Sequence, residues 1–424
     1  GAISAGVSSQ NAVALGATIV TNTIEGDTES IIKNSSIVAL GDGDGVKLNE
    51  HSFGEIASGS PKYELKETAA TSATAKKGLV VNAEAEHLLR DISITGGVAV
   101  GGSAGVAVDA TVVINKIGGD TTAAVNNTDV NKNIANLSTA DVTVDAYDRA
   151  DISSHIGTLS VGVGAGEGAG VGAAGAGDRN TVDRDTTARI VGKDDGSTVL
   201  NAQDVHVDAL GYTSVYLSES GVAAGASALA GAGVTGSVSV DRFTSNTTAL
   251  VSQVKGTVND LIVYADRLAN VEAYNNAIAL SGGIFSGSVS VGVTDVEDTS
   301  HTNAELSKVE LAAANNQSGE VRVLAENHTQ LGTELSGDAL AVSIGGAAGI
   351  AVGNINTEAQ VGAKVDNAII GSEEKEFAEF TAEAKNYTYN RYQNIAVGAG
   401  SLLGVAVGKG AMNINTGTAA EVLN

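Results

Sequence analysis

The feature that most constrains the fold is an internal repeat with a period of about 60 residues. Six short segments share an alternating pattern that ends in alanine: Leu79–Ala83, Val142–Ala146, Val205–Ala209, Leu261–Ala265, Val321–Ala325 and Phe380–Ala384. Their final alanines are 63, 63, 56, 60 and 59 residues apart. Because a unit of this length buries its apolar face poorly by itself, we expect the units to stack on one another.

Two further markers recur in step with the first. A Thr-Ala segment and its variants occur at Thr122–Val125, Thr187–Ile190, Thr248–Val251, Asn303–Leu306, Glu358–Val361 and Ala419–Val422. Runs rich in Gly, Ala and Ser with interleaved Val lie near residues 3–20, 96–114, 159–177, 221–240, 279–293, 339–353 and 396–411. The alternation within each run has a period of two, which indicates strands, and the glycine content disfavours helix. A helical alternative exists for Glu373–Lys385, which is rich in Glu, Ala and Lys.

These patterns predict an all-β fold, an elongated and repetitive β-solenoid (β-helix). With about 20 residues per coil, each unit would supply about three rungs, and about 21 rungs would form a rod of about 100 Å. The predicted units form one continuous solenoid: 1–93, 94–155, 156–217, 218–275, 276–335, 336–394 and a partial unit 395–424. Neither end shows an evident polar cap, so we expect either a piece of a longer array or open ends that stack into a filament.

The glycine-rich runs support a separate prediction about packing. Glycine in a strand packs against nothing and is tolerated where another backbone comes close. We therefore expect the small face of these runs to lie against a second sheet or a protomer. Residues 41–78, an insertion that contains Pro61, should form a loop or hairpin outside the solenoid, where recognition is often located.

Composition narrows the classes of partner. The formal net charge is −25, which argues against binding to nucleic acid or to anionic lipid. The absence of Cys excludes a disulfide scaffold and a thiolate metal site. Aromatic residues make up 3% of the chain, so the core has to consist of small aliphatic side chains. No apolar stretch is long enough to insert this segment directly into a membrane.

The sequence contains few candidate residues for catalysis or metal binding. The six histidines lie at positions 51, 87, 155, 206, 301 and 328, none in metal-ligand spacing, and they are expected to face solvent. The Asp pairs 42/44, 183/185 and 194/195 suggest turns. The sequence therefore predicts no catalytic, cofactor-binding or metal-ligating residue, and the protein is not expected to be an enzyme; Ca²⁺ is the one cofactor that acidic turns would admit. Glycosylation sequons occur at Asn34, Asn126, Asn136, Asn246, Asn316, Asn327 and Asn386.

One aromatic cluster stands out. Tyr387, Tyr389 and Tyr392 are close in sequence, and their spacing places Tyr387 and Tyr389 on one face of a strand. The cluster is either a small binding patch or an exposed tyrosine ladder.

The succession of the Thr-Ala segment, the Val-x-Val-x-Ala segment and the Gly/Ala/Val run resembles the repeats of giant bacterial surface proteins. These are the filamentous-haemagglutinin-like and leukotoxin-like adhesins, which are exported by two-partner or autotransporter routes. The resemblance covers nearly the whole chain apart from the insertion. It implies a right-handed β-helix stalk that holds an adhesive tip away from the cell. Asn11–Gly16 also resembles, once, the head repeat of trimeric autotransporter adhesins.

The first expectation for function is a structural or adhesive segment of an extracellular bacterial surface fibre. Its partners would be molecules of a host or neighbouring cell, or further copies of itself. The alternative is a self-assembling filament subunit, and a third possibility is a polysaccharide-acting solenoid enzyme. That enzyme should show a carboxylate cluster in a groove, and the sequence reveals none in register.

Overall fold

The computed structural model describes residues 1–55, 63–68, 75–134, 137–315 and 318–423, and these ranges contain 22 strands and no helix. The shorter strands are β1 Ala2–Ser8, β3 Thr28–Lys33, β4 Ser36–Ile37, β5 Glu50–Glu55, β6 Tyr63–Thr68, β9 Thr121–Asn126, β10 Asp129–Val130, β13 Thr198–Val199, β16 Val254–Val258, β18 Glu310–Ala313 and β20 Ile369–Ile370. The longer strands are β2 Asn11–Glu25, β7 Leu79–Gly101, β8 Ala104–Gly118, β11 Val142–Gly164, β12 Ala169–Val191, β14 Asp204–Ser227, β15 Ala230–Ser252, β17 Asp260–Ser307, β19 Glu320–Asp366, β21 Glu379–Gly400 and β22 Leu403–Leu423. The helical alternative at Glu373–Lys385 is wrong, because its second half lies in β21.

Fourteen of these strands form one parallel sheet. Its hydrogen-bonded order is β1-β7-β11-β14-β17-β15-β12-β8-β2, and β19 links β17 to β21 and β22. Each residue pairs with the equivalent position of the next sequence unit, as Val142 does with Val205 and Val205 with Leu261. The repeated sequence segments therefore lie side by side in the sheet, paired in the same register as their positions in the repeat.

The all-β prediction holds, but the prediction of an elongated β-solenoid, or β-helix, is wrong: the strands form a nearly closed parallel sheet. Each unit contributes one level to a ladder rather than three rungs. A strand of 23 residues such as β11 is about 75 Å long, whereas seven levels stack to only about 30 Å. The error arose from Asp pairs such as Asp183/Asp185, which predict turns. Residues 178–185 instead continue β12, because their inward polar side chains find partners inside the fold: Asn180 bonds to Asp178, and Arg184 bonds to Asp148.

The sheet folds back on itself into two arms. The first arm consists of β1, β7, β11, β14, residues 260–282 of β17, residues 320–342 of β19, and β21. The second arm consists of β2, β3, β8, β9, β12, β15, the remainders of β17 and β19, and β22. Clusters of apolar side chains occupy part of the space between the arms, such as Ile152 of the first and Val182 of the second.

The largest core lies at the end of the arms remote from the fold-back. There the Val-x-Val-x-Ala segments of the first arm meet the Thr-Ala segments of the second, as Val144 and Ala188 do. Short strands close this end: β13, β16, β18 and β20 form one small parallel sheet, and β4 pairs with β10. The core residues are small, as the composition required.

At the fold-back the glycine runs bring the two arms into close backbone contact. A Cβ atom added at Gly162 would lie 1.9 Å from the carbonyl oxygen of Val171, and one at Gly225 would lie 1.9 Å from that of Ala232. Real side chains do not approach backbone oxygens so closely. The predicted close backbone approach is present, but the opposing surface is the second arm of the same sheet and not a second sheet or a protomer.

The inserted segment forms an antiparallel hairpin of β5 and β6, in which Glu50 pairs with Thr68. A loop or hairpin was predicted here, and the hairpin is confirmed. It lies on the outer face of the first arm, which is the face that points away from the second arm. Pro61 lies outside the described residues.

Candidate functional site

Tyrosine is concentrated on one surface. Of the nine tyrosines, seven occupy outward positions of the first arm, which follow from the two-residue alternation of its strands: Tyr147, Tyr212, Tyr216, Tyr264, Tyr274, Tyr387 and Tyr389. The predicted placement of Tyr387 and Tyr389 on one face agrees with the structure. Tyr392 faces the opposite way, packs against the interior and donates a hydrogen bond to the carbonyl oxygen of Lys409 at 3.1 Å.

The hairpin is anchored on this surface by its aromatic side chains. The ring of His51 stacks on that of Tyr147 with centroids 3.5 Å apart, and Phe53 lies 6.1 Å from Tyr212. The guanidinium of Arg149 lies 5.3 Å from the centroid of the Tyr212 ring. The hairpin thus partly covers the outer face of the first arm.

Between the hairpin and the sheet lies a cleft of about 350 Å³, lined by Asn49, Glu50, His51, Ser52, Lys76, Thr143, Asp145, Asp208, Leu210 and Tyr264. Its notable feature is a pair of carboxyl groups, because Asp145 and Asp208 are register partners on neighbouring strands. Burial, and then the nearby charge of Asp208, raise the pKa of Asp145 to about 8. Burial raises the pKa of Asp208 as well.

The expectation that no carboxylate cluster lies in register is therefore wrong. Both aspartates stand at the same position of the alanine-ended segment, in Val142–Ala146 and Val205–Ala209. Aligning the repeats would have placed them side by side. What the sequence could not show is that the inserted hairpin covers them.

A second cleft of about 440 Å³ continues along the same face. It is lined by Leu88, Arg90, Asp91, Ile92, Arg149, Asp151, Ile152, Ser153, His155, Tyr212, Ser214 and Tyr216. The ring of Tyr216 lies 5.6 Å from that of His155 and 5.7 Å from that of Tyr274. Arg149 and Tyr212, which pack against each other, both line this second cleft.

Next to the first cleft lies a cluster that could hold a metal ion, formed by Asp266, Glu326 and His328. Nε2 of His328 lies 3.5 Å from Oδ1 of Asp266 and 3.8 Å from Oε2 of Glu326. Tyr264 donates a hydrogen bond to Oδ2 of Asp266 at 2.8 Å, and Lys385 donates one to Oε1 of Glu326 at 3.0 Å.

Spacing along the chain could not reveal this cluster, because its members come from neighbouring strands of different units. The expectation that the histidines face solvent is wrong for His328 and for the side chain of His51, both of which are buried. The Asp183/Asp185 pair lies within β12 and not in a turn, whereas Asp194 and Asp195 do lie in a turn.

The space between the arms holds charges of its own. Arg184 is buried and donates a hydrogen bond to Asp148 across the arms at 2.5 Å. Further along, Asn180 donates to Asp178 and Asp241, each at 2.8 Å. Burial raises the pKa values of Asp178, Asp241 and the neighbouring Glu219, so the protonated forms are favoured there.

The sequons differ in accessibility. Asn327 is fully buried and donates a hydrogen bond to Asn386 at 3.0 Å. Its side chain is therefore inaccessible to a glycosyltransferase in the folded chain. Asn34 is exposed in a turn. Asn136 and Asn316 lie outside the described residues.

No family model, curated protein or solved structure matches the chain. The resemblance to the haemagglutinin-like and leukotoxin-like surface proteins thus stays a prediction. Within the described ranges there is no helix with the length and hydropathy required to cross a membrane.

Proposed function

We propose that this chain is a structural and adhesive segment of an extracellular bacterial surface protein, and that it binds a glycan on the outer face of its first arm. The observation that carries the proposal is the gathering of seven of nine tyrosines on that face, beside two clefts with carboxyl groups. Tyr147 is buried under the hairpin, whereas Tyr216 and Tyr387 are exposed. In a chain with 3% aromatic residues, such a concentration favours a binding surface over core filling.

The chemistry of the face suits carbohydrate. Tyrosine rings offer flat apolar surfaces to the C–H face of a sugar, and their hydroxyl groups can bond to sugar hydroxyls. Carboxylates such as Asp151 accept hydrogen bonds from neighbouring hydroxyl groups, and Arg149 donates them. The net charge of −25 repels sulfated and carboxylated polymers, so the glycan is expected to be neutral.

The rest of the chain supports this face as a rigid scaffold. Every long strand of the sheet is paired in register with at least one neighbour, and the inner strands β11, β12, β14 and β15 are paired on both sides along nearly all of their length. Sites built on regular strands are held more firmly than sites on loops.

The test is affinity electrophoresis of the full chain in gels that contain neutral or anionic polysaccharides. We expect at least one neutral polysaccharide to retard the wild type. Tyr216→Ala combined with Tyr274→Ala should weaken that retardation about tenfold or more, since each aromatic contact contributes about 0.5–1.5 kcal/mol. The matched control is Val238→Ala, an exposed site on the second arm. Retardation by anionic polymers alone, or equal loss in the control, would contradict the proposal.

The Asp145–Asp208 pair favours a second candidate function, the hydrolysis of a glycosidic bond. Neighbouring strands hold the two backbones about 4.8 Å apart, and retaining glycosidases place their carboxyl groups about 5–5.5 Å apart. The raised pKa of Asp145, about 8, suits a general acid. Release of reducing ends that is lost in both Asp145→Asn and Asp208→Asn would support hydrolysis, whereas binding without release leaves the adhesive function alone.

A further inference from the structure

We infer that Asp266, Glu326 and His328 form a site for one divalent transition-metal cation, of which Zn²⁺ is the best match. Asp266 in β17 and Glu326 in β19 are register partners, and His328 follows Glu326 by two residues on the same face of the strand. The parallel register alone therefore brings two carboxylates and one imidazole to a single point.

The spacing of the ligand atoms suits a metal better than a direct hydrogen bond. The separations of 3.5 and 3.8 Å from Nε2 of His328 exceed the usual length of a hydrogen bond. Zinc forms bonds of about 2.0–2.2 Å to nitrogen and oxygen, so the ligand atoms around a tetrahedral ion lie about 3.4 Å apart. Small movements of these three side chains would bring their ligand atoms to the distances that a bound zinc ion requires.

A second observation points to a ligand at this position. Asp266 is only 1% exposed, and its Oδ1 atom is buried and accepts no hydrogen bond from the described residues. Its other oxygen is already occupied, because Tyr264 donates to Oδ2. A buried carboxylate oxygen without a donor is costly, and a cation would satisfy it.

The surrounding groups orient the ligands as outer-shell partners do in metal sites. The hydrogen bond from Tyr264 directs Oδ1 of Asp266 toward the cluster. Lys385 bonds to Oε1 of Glu326 and leaves Oε2 directed toward His328.

The ligand set selects the type of cation. An imidazole nitrogen suits zinc and other transition metals, whereas Ca²⁺ and Mg²⁺ prefer shells made of oxygen alone. Three protein ligands leave a fourth position of a tetrahedral ion open to water or to a ligand. The competing explanation is a protonated His328 that pairs with the two carboxylates without any metal.

The experiment is calorimetric titration of the chelator-treated full chain with ZnCl₂ at neutral pH, together with melting curves. We expect one high-affinity ion per chain and a rise in Tm of about 3 °C at a hundredfold excess over Kd. Asp266→Asn and Glu326→Gln should each weaken the binding at least tenfold. Glu334→Gln, a half-buried site on the same strand, is the matched control and should bind as the wild type does.

Glu326 is half-buried, so Glu326→Gln decides the matter if Asp266→Asn fails to fold. The inference is overturned if the wild type takes up no zinc, or if both ligand variants retain wild-type affinity. It is equally overturned if Glu334→Gln weakens binding as much as they do. A CaCl₂ titration that matches the zinc titration would refute the choice of ion.

Discussion

At the scale of single residues, one buried arginine shows how the two arms are held together. Arg267 is fully buried, and its Nη2 atom lies 2.5 Å from Oδ1 of Asp298, which is also fully buried. Both residues belong to β17, but Arg267 lies in the first arm and Asp298 in the second. Arg267 also donates to Asn327 of the next level at 3.1 Å. Arg267 therefore joins the two arms through Asp298 and two neighbouring levels through Asn327.

Removing one partner should be costly, because the other charge would then stay buried without compensation. We expect Asp298→Asn to lower the free energy of unfolding by about 3–5 kcal/mol, as measured by urea denaturation. The control is Asp295→Asn, which affects a partly exposed ion pair with Arg242 and should cost less than about 1 kcal/mol. Equal effects of the two variants would show that the buried pair is not the link between the arms.

At the scale of elements, two adjacent glycines of β19 are not equivalent. A Cβ atom at Gly345 would lie 2.0 Å from the carbonyl oxygen of Ser286, whereas at Gly346 the nearest atom would be 3.6 Å away. The two positions point to opposite sides of the strand, so only one of them faces a crowded backbone.

We expect Gly345→Val to destabilise the protein by about 1–3 kcal/mol or more and Gly346→Val to have little effect, as measured by melting curves of the two variants. The pair forms its own control, since both changes add the same side chain to the same strand. If both variants melted as the wild type does, close approach at the fold-back would not limit residue size there.

Whether the sequence could predict a given strand correctly depends on the residue types in that strand. The alternation of Val142–Ala146 and its counterparts identified strands, and their spacing identified the register. Polar positions such as Asn115 and Asn180 are harder to predict, because asparagine usually marks turns, whereas here Asn115 donates a hydrogen bond to Asn180 between strands at 2.9 Å. A polar ladder inside a sheet depends on neighbours about 60 residues away, and a local pattern does not contain them.

At the scale of the whole molecule, the error in fold class has the same origin. The prediction of a turn at Asp183 and Asp185 divided this unit into shorter segments, in keeping with about three short coils per unit. Because they lie inside one long strand, each unit spans one broad level, and the sheet nearly closes on itself. The candidate site was missed for a related reason: Asp145, Asp208 and His328 become neighbours of their partners only through the register.

The buried acids make the stability of the whole molecule depend on pH. Burial raises the pKa of Asp145 to about 8, above 3.8 in the unfolded chain, so this group stabilises the fold fully below about pH 4 and loses that contribution as the pH rises to about 8. Asp208 and Glu84 oppose its ionisation, and Lys76 favours it. The raised pKa values of Asp178, Glu219 and Asp241 act in the same direction.

We therefore expect Tm to fall by several degrees between about pH 5 and pH 8, as measured by calorimetry in buffers of constant ionic strength. Asp145→Asn should flatten part of this slope, since the amide does not ionise. A Tm that rises with pH over this interval would contradict the assignment of protonated interior acids.

The in-register pairing of each unit with the next has a genetic consequence. Deleting the unit from Val142 to Asp204 would bring Leu79–Ala83 beside Val205–Ala209, two segments of the same pattern. Duplicating a unit would likewise insert one more matched level. Unequal recombination within the gene can therefore change the number of levels in whole steps, while most strands still meet a neighbour that fits.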